Sequence, residues 1–241
     1  MGLQRALRLF YPPQCLACGE VVSHENGLCP ACWRATPFIH GLVCDACGLP
    51  LPGAEDPSGA PVHCDDCLQL ARPWQRGRAA MLYAGTARRL VLGLKHADRL
   101  DLTTSCGRWM QAATGPILRP DMLVVPVPMH WTRLARRRYN QAAVLALELA
   151  RLAGLECCPD LLVRSRRTPN QGGRDLVGRH ANLQGALALH PRRGGRVQGR
   201  HILLIDDVMT SGATLAAATD ICLAGGAAEV DVAVLVRVPK A

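Results

Sequence analysis

The chain has 241 residues, 49% of them hydrophobic, and a formal net charge of +9 at pH 7. That length suffices for one α/β domain plus a small module, and without a long apolar run the chain reads as globular rather than membrane-spanning. The N-terminus lacks the central apolar segment of a signal peptide, and Ala6 stands where N-myristoylation requires Ser or Thr, so the expected location is the cytoplasm.

The charge is unevenly placed. Residues 1–72 carry 4 Arg against 7 acidic residues, net −3, whereas residues 73–241 are net +12. Of the 28 basic residues only Lys95 and Lys240 are lysine, an arginine bias of the kind that genome base composition produces, so it is not read as selection for nucleic acid. The distribution is more informative: a polyanion would favour residues 73–241 over residues 1–72.

Residues 1–72 are expected to form a metal module. Eight of the twelve cysteines form four Cys-x-x-Cys pairs, Cys15/Cys18, Cys29/Cys32, Cys44/Cys47 and Cys64/Cys67. Ten residues separate the first two pairs and sixteen the last two. This spacing suits two structural Zn²⁺ sites, each a zinc ribbon of two turns supplying two thiolates apiece. Four-thiolate sites are saturated, so they hold fold and not substrate. Two alternatives stay open at this point: disulfides, and an interleaved arrangement in which the first pair shares its metal with the third. Cys106, Cys157, Cys158 and Cys222 read as plain thiols.

From residue 73 a second domain is expected to begin. Ala79–Tyr83 reads as a strand, and Thr86–Ala97 as a helix with Leu90, Val91, Leu94 and Ala97 on one face. Met122–Val127 is a buried strand stopped by prolines, Gln141–Leu152 a helix, and Leu161–Val163 a short strand. Leu187–Leu189, His201–Ile205 and Glu229–Val236 complete the strands, and Leu215–Ala224 reads as a helix. Strand and helix alternate, which argues a parallel sheet flanked by helices.

Three constellations in this domain carry chemistry. In the first, the strand Ile202–Ile205 runs into Asp206 and Asp207, then a turn of Thr210, Ser211, Gly212, Ala213 and Thr214, then a helix. Backbone N–H groups and a helix N-terminus at a strand's carboxyl end favour a phosphate, and paired carboxylates suit ribose hydroxyls or Mg²⁺. In the second, a loop with Arg133, Arg136, Arg137 and Arg138, then Asn140 and Gln141, follows the strand at Val127, and its guanidinium groups suit a pyrophosphate. The other reading of this loop is a solvated basic turn capped by Asn140. In the third, Arg164, Arg167, Gln171, Arg179 and Asn182 lie in a polar, glycine-containing segment that reads as a loop over the site. Lys95 and His96 carry less weight.

The Asp206–Thr214 stretch resembles the phosphoribosyl-diphosphate (PRPP) signature of type I phosphoribosyltransferases. That resemblance implies that Asp206 and Asp207 hold the ribose hydroxyls and that residues 210–214 cradle the 5′-phosphate. Taken with Phe10–Cys15, the four cysteine pairs, Leu94-Lys95, Pro126-Val127-Pro128, Tyr139-Asn140-Gln141 and the Gln171/Arg179/Asn182 spacing, nearly the whole chain resembles the ComF family. Two departures stand out. The family usually has glycine where this chain has Arg138, and often an apolar residue where it has Arg174.

The resemblance implies a type I phosphoribosyltransferase fold behind an N-terminal double zinc ribbon, with PRPP and Mg²⁺ as ligands. It also implies a role in DNA uptake, with single-stranded DNA and a DNA-uptake helicase as partners. Two rivals to that role are an active phosphoribosyltransferase of unassigned acceptor and a ribose-phosphate-responsive regulator.

Overall fold

A computed structural model describes residues 11–54, 59–96, 99–130, 132, 134, 138–164 and 186–239. Its centre is a five-stranded parallel sheet of β1 (Gly77–Leu82), β2 (Leu123–Pro126), β3 (Glu156–Cys157), β6 (His201–Met209) and β7 (Glu229–Arg237), in the order β1-β7-β6-β2-β3. β4 (Leu162–Arg164) and β5 (Leu187–Leu189) pair antiparallel in a separate two-stranded sheet. The parallel sheet matches the expectation from strand–helix alternation, but the short strand near Leu161 does not join it.

Side-chain alternation in the sheet feeds two cores. Ile202, Leu204, Val232 and Val234 enter one, and Leu203, Ile205, Ala233 and Leu235 the other. The second core is closed by α3 (Gly85–His96), α4 (Leu102–Thr114) and α5 (Gln141–Ala153), through residues such as Leu90, Met110 and Leu145. Among the described residues the first core has a single long helix, α6 (Ala213–Ala224), together with Leu162 and Leu187 from the small sheet. The rest of that face is covered by Cys44, Ala46, Cys47, Cys64, Cys67 and Trp74. The second zinc ribbon thus occupies ground that a further helix would cover in an ordinary doubly wound sheet.

The ribbons also close the β1 edge of the sheet, where unpaired strand groups would otherwise be exposed. Ile39 N–H donates to the Ala80 carbonyl (3.0 Å) and Leu82 N–H to the Pro37 carbonyl (2.9 Å). Gly77 N–H donates to the Asp45 carbonyl (2.7 Å), and a Cβ at Gly77 would stand 2.5 Å from the Ala46 carbonyl oxygen. Only glycine admits this approach. The first ribbon has its own small cluster, Cys15, Cys29 and Cys32, packed by Val22 and Leu28.

Candidate functional site

Each cysteine quartet closes on itself. The sulfurs of Cys15, Cys18, Cys29 and Cys32 lie within 4.8 Å of one another, as do those of Cys44, Cys47, Cys64 and Cys67. Cys18 and Cys29 are 3.7 Å apart, and so are Cys47 and Cys64. A tetrahedral site with Zn–S near 2.3 Å needs sulfurs about 3.8 Å apart, so the residues fit the metal and the interleaved arrangement is excluded. The second pair of each quartet sits not in a turn but at the start of a short helix. Cys29 is the N-cap of α1 (Pro30–Arg34) and Cys64 the N-cap of α2 (Asp65–Gln69). Metal analysis of protein purified without added zinc should give about two equivalents per chain. One equivalent or none, with disulfides in its place, would contradict these sites. Burial pushes Cys106 and Cys222 up to about 12 and Cys157 to about 11, so these are unreactive thiols.

The second centre is a polar cavity of about 240 Å³ beyond β2 and β6. Asp206, Asp207 and Thr214 line it from β6 and α6, Asn140 and Gln141 from the start of α5, Arg164 from β4, and Lys95 from the end of α3. It therefore draws residues from all three constellations seen in the sequence. β6 does not stop at the carboxylates: it continues to Met209, because β7 runs alongside to Arg237.

The two carboxylates are unequal. Lys95 Nζ lies 3.1 Å from Asp207 Oδ2 and pairs with it. Burial pushes Asp206 up to about 7, aided by the charge of Asp207, against the pull of the Asp207 N–H, Lys95 and Arg164. Asp206 Oδ1 accepts that N–H at 2.8 Å. A carboxyl that holds its proton to near neutrality, beside a second carboxyl paired with Lys95, is suited to bind a cation or a diol with release of a proton.

The neighbouring residues position the cavity. Asn140 caps α5, accepting from Ala142 N–H (3.1 Å), while its amide donates to the Val127 carbonyl (3.0 Å). Gln141 Nε2 (3.1 Å) and Tyr139 Oη (2.6 Å) both donate to the Leu94 carbonyl, which fixes the helix end that carries Lys95. Arg138 has φ +66, a left-handed conformation that a glycine would adopt without strain. The arginine standing where the resemblance leads one to expect glycine therefore keeps a glycine-like backbone.

Thr210, Ser211 and Gly212 form the turn between β6 and α6 and Ala213 opens α6, but none of the four lines the cavity; of that stretch only Thr214 does. Gly212 is the N-cap of α6 with φ +82. Arg133, Arg136, Arg137, Arg167, Gln171, Arg174, Arg179 and Asn182 lie outside the described residues. Lys95 is the site residue that sequence reasoning undervalued. Its signal was compositional: it is one of two lysines in a chain that otherwise uses arginine. Among the described residues no helix is long and apolar enough to cross a membrane.

Residues 6–68 match the double zinc ribbon domain and residues 140–241 the phosphoribosyl transferase domain. The DNA utilization protein YhgH of Escherichia coli K12 is 34% identical over 218 residues, spanning 88% of this chain and 90% of that protein. The competence protein F of Haemophilus influenzae is 26% identical over 212 residues, 86% of this chain and 89% of its own. Among solved structures, glutamine PRPP amidotransferase from B. subtilis aligns at 18% identity over 60% of this chain and 30% of that one, with a TM-score of 0.39. Two domains in this order, and relatives alike along nearly their full length, place the chain in the ComF/YhgH family of double zinc ribbon and phosphoribosyltransferase-domain proteins.

Proposed function

We propose that this chain binds PRPP or a related ribose phosphate together with Mg²⁺, and that it does so in the service of DNA handling. The observation that supports this most is the cavity in which Asp206, Asp207 and Thr214 meet Asn140, Gln141, Arg164 and Lys95. Asp206 and Asp207 offer acceptors to two neighbouring ribose hydroxyls, and Thr214 stands at the α6 N-terminus, where backbone N–H groups and the helix dipole favour the 5′-phosphate. Arg164, Lys95 and the α5 N-terminus offer positive charge to the pyrophosphate. Mg²⁺, when bound, would neutralise pyrophosphate charge, with the carboxylates of Asp206 and Asp207 as the oxygen donors at hand. The division of labour is between an acidic zinc module, residues 1–72, and a basic ligand-binding domain, residues 73–241. The DNA role comes from the family: its members named above are called for DNA utilization and competence.

A thermal-shift screen of the zinc-loaded full chain with PRPP, nucleotides and single-stranded DNA, with and without Mg²⁺, tests the ligand. PRPP with Mg²⁺ at about 100 times its Kd should raise Tm by roughly 5–10 °C. No shift with PRPP under any condition would overturn the reading.

Charge supports the DNA role in one respect. Residues 133–200 contain 14 Arg against 4 acidic residues. Single-stranded DNA should therefore bind weakly and without sequence preference, with a log–log salt slope of roughly −0.7 per phosphate contacted, and PRPP should compete. Titration of the full chain at several salt concentrations checks this. Salt-insensitive binding would contradict the electrostatic account, and binding unaffected by PRPP would place DNA away from the cavity.

A further inference from the structure

The turn that follows Asp206 and Asp207 is held from behind by two arginines. Arg72 Nη1 donates to the Ser211 carbonyl (2.7 Å). Arg237 Nη1 donates to the carbonyls of Thr210 (2.7 Å), Met209 (3.3 Å) and Val238. Three successive carbonyls, 209 to 211, are thus tied to guanidinium groups. Arg237 is buried, 1% exposed, and among the described residues it has no carboxylate within ion-pair distance. A buried charge bound only to carbonyls is costly unless it orders something. Here it orders the peptide dipoles entering the α6 N-terminus.

Arg72 belongs to the connection from the zinc module, and its neighbour there makes the second contact. A Cβ at Gly212 would lie 3.0 Å from the Trp74 ring and 3.2 Å from Arg72. With φ +82 as well, this position holds the turn backbone directly against the indole. The Arg72 guanidinium sits 5.6 Å from the ring centroid, within cation–π range. On its other side, Trp74 Nε1 donates to the Ala46 carbonyl at 2.5 Å, and Ala46 lies between Cys44 and Cys47. Arg72 also lies against Cys67 of the same quartet. A continuous set of contacts therefore runs from the second cysteine quartet, through Ala46 and Trp74, to Gly212 and Ser211.

We propose that Arg72 and Trp74 are positioning residues for the ribose-phosphate turn, transmitting to it the geometry of the second zinc site. The zinc ribbon is then a part of the ligand site, although none of its cysteines reaches the cavity. The proposal rests on the ribose-phosphate reading for its purpose, but the clamp itself is measurable without ligand.

Hydrogen exchange on the full, zinc-loaded chain tests it, comparing wild type with Arg72→Met, Arg72→Lys and Trp74→Phe. Trp74→Phe removes the bond to Ala46 and, lacking the outer indole carbons that face Gly212, the contact with the turn as well. With two zinc equivalents retained, amides at residues 209–214 should exchange about tenfold faster in Arg72→Met and Trp74→Phe, the effect of losing one charge-assisted or buried bond. Calorimetric affinity for PRPP with Mg²⁺ should fall about tenfold in parallel. Arg72→Lys, which keeps a cationic donor, should recover most of both. Unchanged exchange at 209–214 in the zinc-loaded variants overturns the clamp, as does unchanged PRPP affinity in variants of a wild type that binds it. If Trp74→Phe fails to retain zinc, the half-buried Arg72→Met decides. If wild type binds no PRPP, the ribose-phosphate reading falls, while the exchange result still decides the clamp.

Discussion

Replacing Asp206 by asparagine is expected to stabilise the unliganded protein and, at the same time, to remove its affinity for a ribose phosphate. Burial holds Asp206 at about 7, above the 3.8 of a free carboxyl, so at neutral pH the fold carries a carboxylate it would rather protonate. For a carboxyl raised in this way, the unliganded fold loses stability as pH rises through the window from about 4 to 7. Asparagine retains the oxygen that accepts the Asp207 N–H and carries no charge. After solvent screening the gain should be about 1 kcal/mol, or roughly 2–4 °C in Tm. Wild-type affinity for PRPP with Mg²⁺ should rise about fourfold between pH 6.5 and 8.5 as Asp206 ionises, whereas Asp206→Asn should show no binding at either pH. Scanning calorimetry and titration across pH check both. A variant less stable than wild type, or a flat wild-type profile, would show that Asp206 is structural.

The two zinc sites should fail very differently. Cys44, Cys47, Cys64 and Cys67 are all buried within the core that covers one face of the sheet. Cys15, Cys29 and Cys32 form a separate cluster, and Cys18 is exposed. A structural Zn²⁺ contributes on the order of 10 kcal/mol in isolated fingers, and most domains have no more than that to lose. Cys47→Ser should therefore destabilise the whole chain, by well over 10 °C in Tm or to insolubility. Cys18→Ser should leave a folded protein with one zinc equivalent. A chelator should draw zinc in two phases, with the first site released sooner. Metal content against circular dichroism during chelation follows this directly. Equal tolerance of the two substitutions would mean that the second ribbon is an appendage and not part of the core.

How much of this was legible follows from how local each signal is. The cysteine quartets and the Asp206–Thr214 turn are short stretches whose spacing carries their chemistry, and the structure closes each quartet on itself. Leu187–Leu189 was readable to the residue, since a short apolar alternation has one good solution. α4 was not read as a helix. Its start, Leu102-Thr103-Thr104-Ser105, is weak in helix propensity, and its apolar row, Leu102, Cys106 and Met110, is only three residues long. β3 has two residues and, among the described residues, pairs only with β2, too little for any pattern to show. What no local pattern could show is the pairing of distant residues. Lys95 meets Asp207 from the end of a helix that Tyr139 and Gln141 anchor through the Leu94 carbonyl. Arg72 meets Ser211 across 139 residues of sequence, and that contact is what joins the zinc module to the turn.

The central claim is that the cavity at the end of β6 is a ribose-phosphate site. Isothermal titration of PRPP with Mg²⁺ into the zinc-loaded full chain, beside an Asp206→Ala/Asp207→Ala variant with the same circular dichroism spectrum, tests it most directly. Two charged hydrogen-bonding groups lost together should weaken binding more than 100-fold. Saturable 1:1 binding by wild type, absent from the folded double variant, is the result the account predicts. Equal affinity in the two proteins, or no binding by wild type, would contradict it.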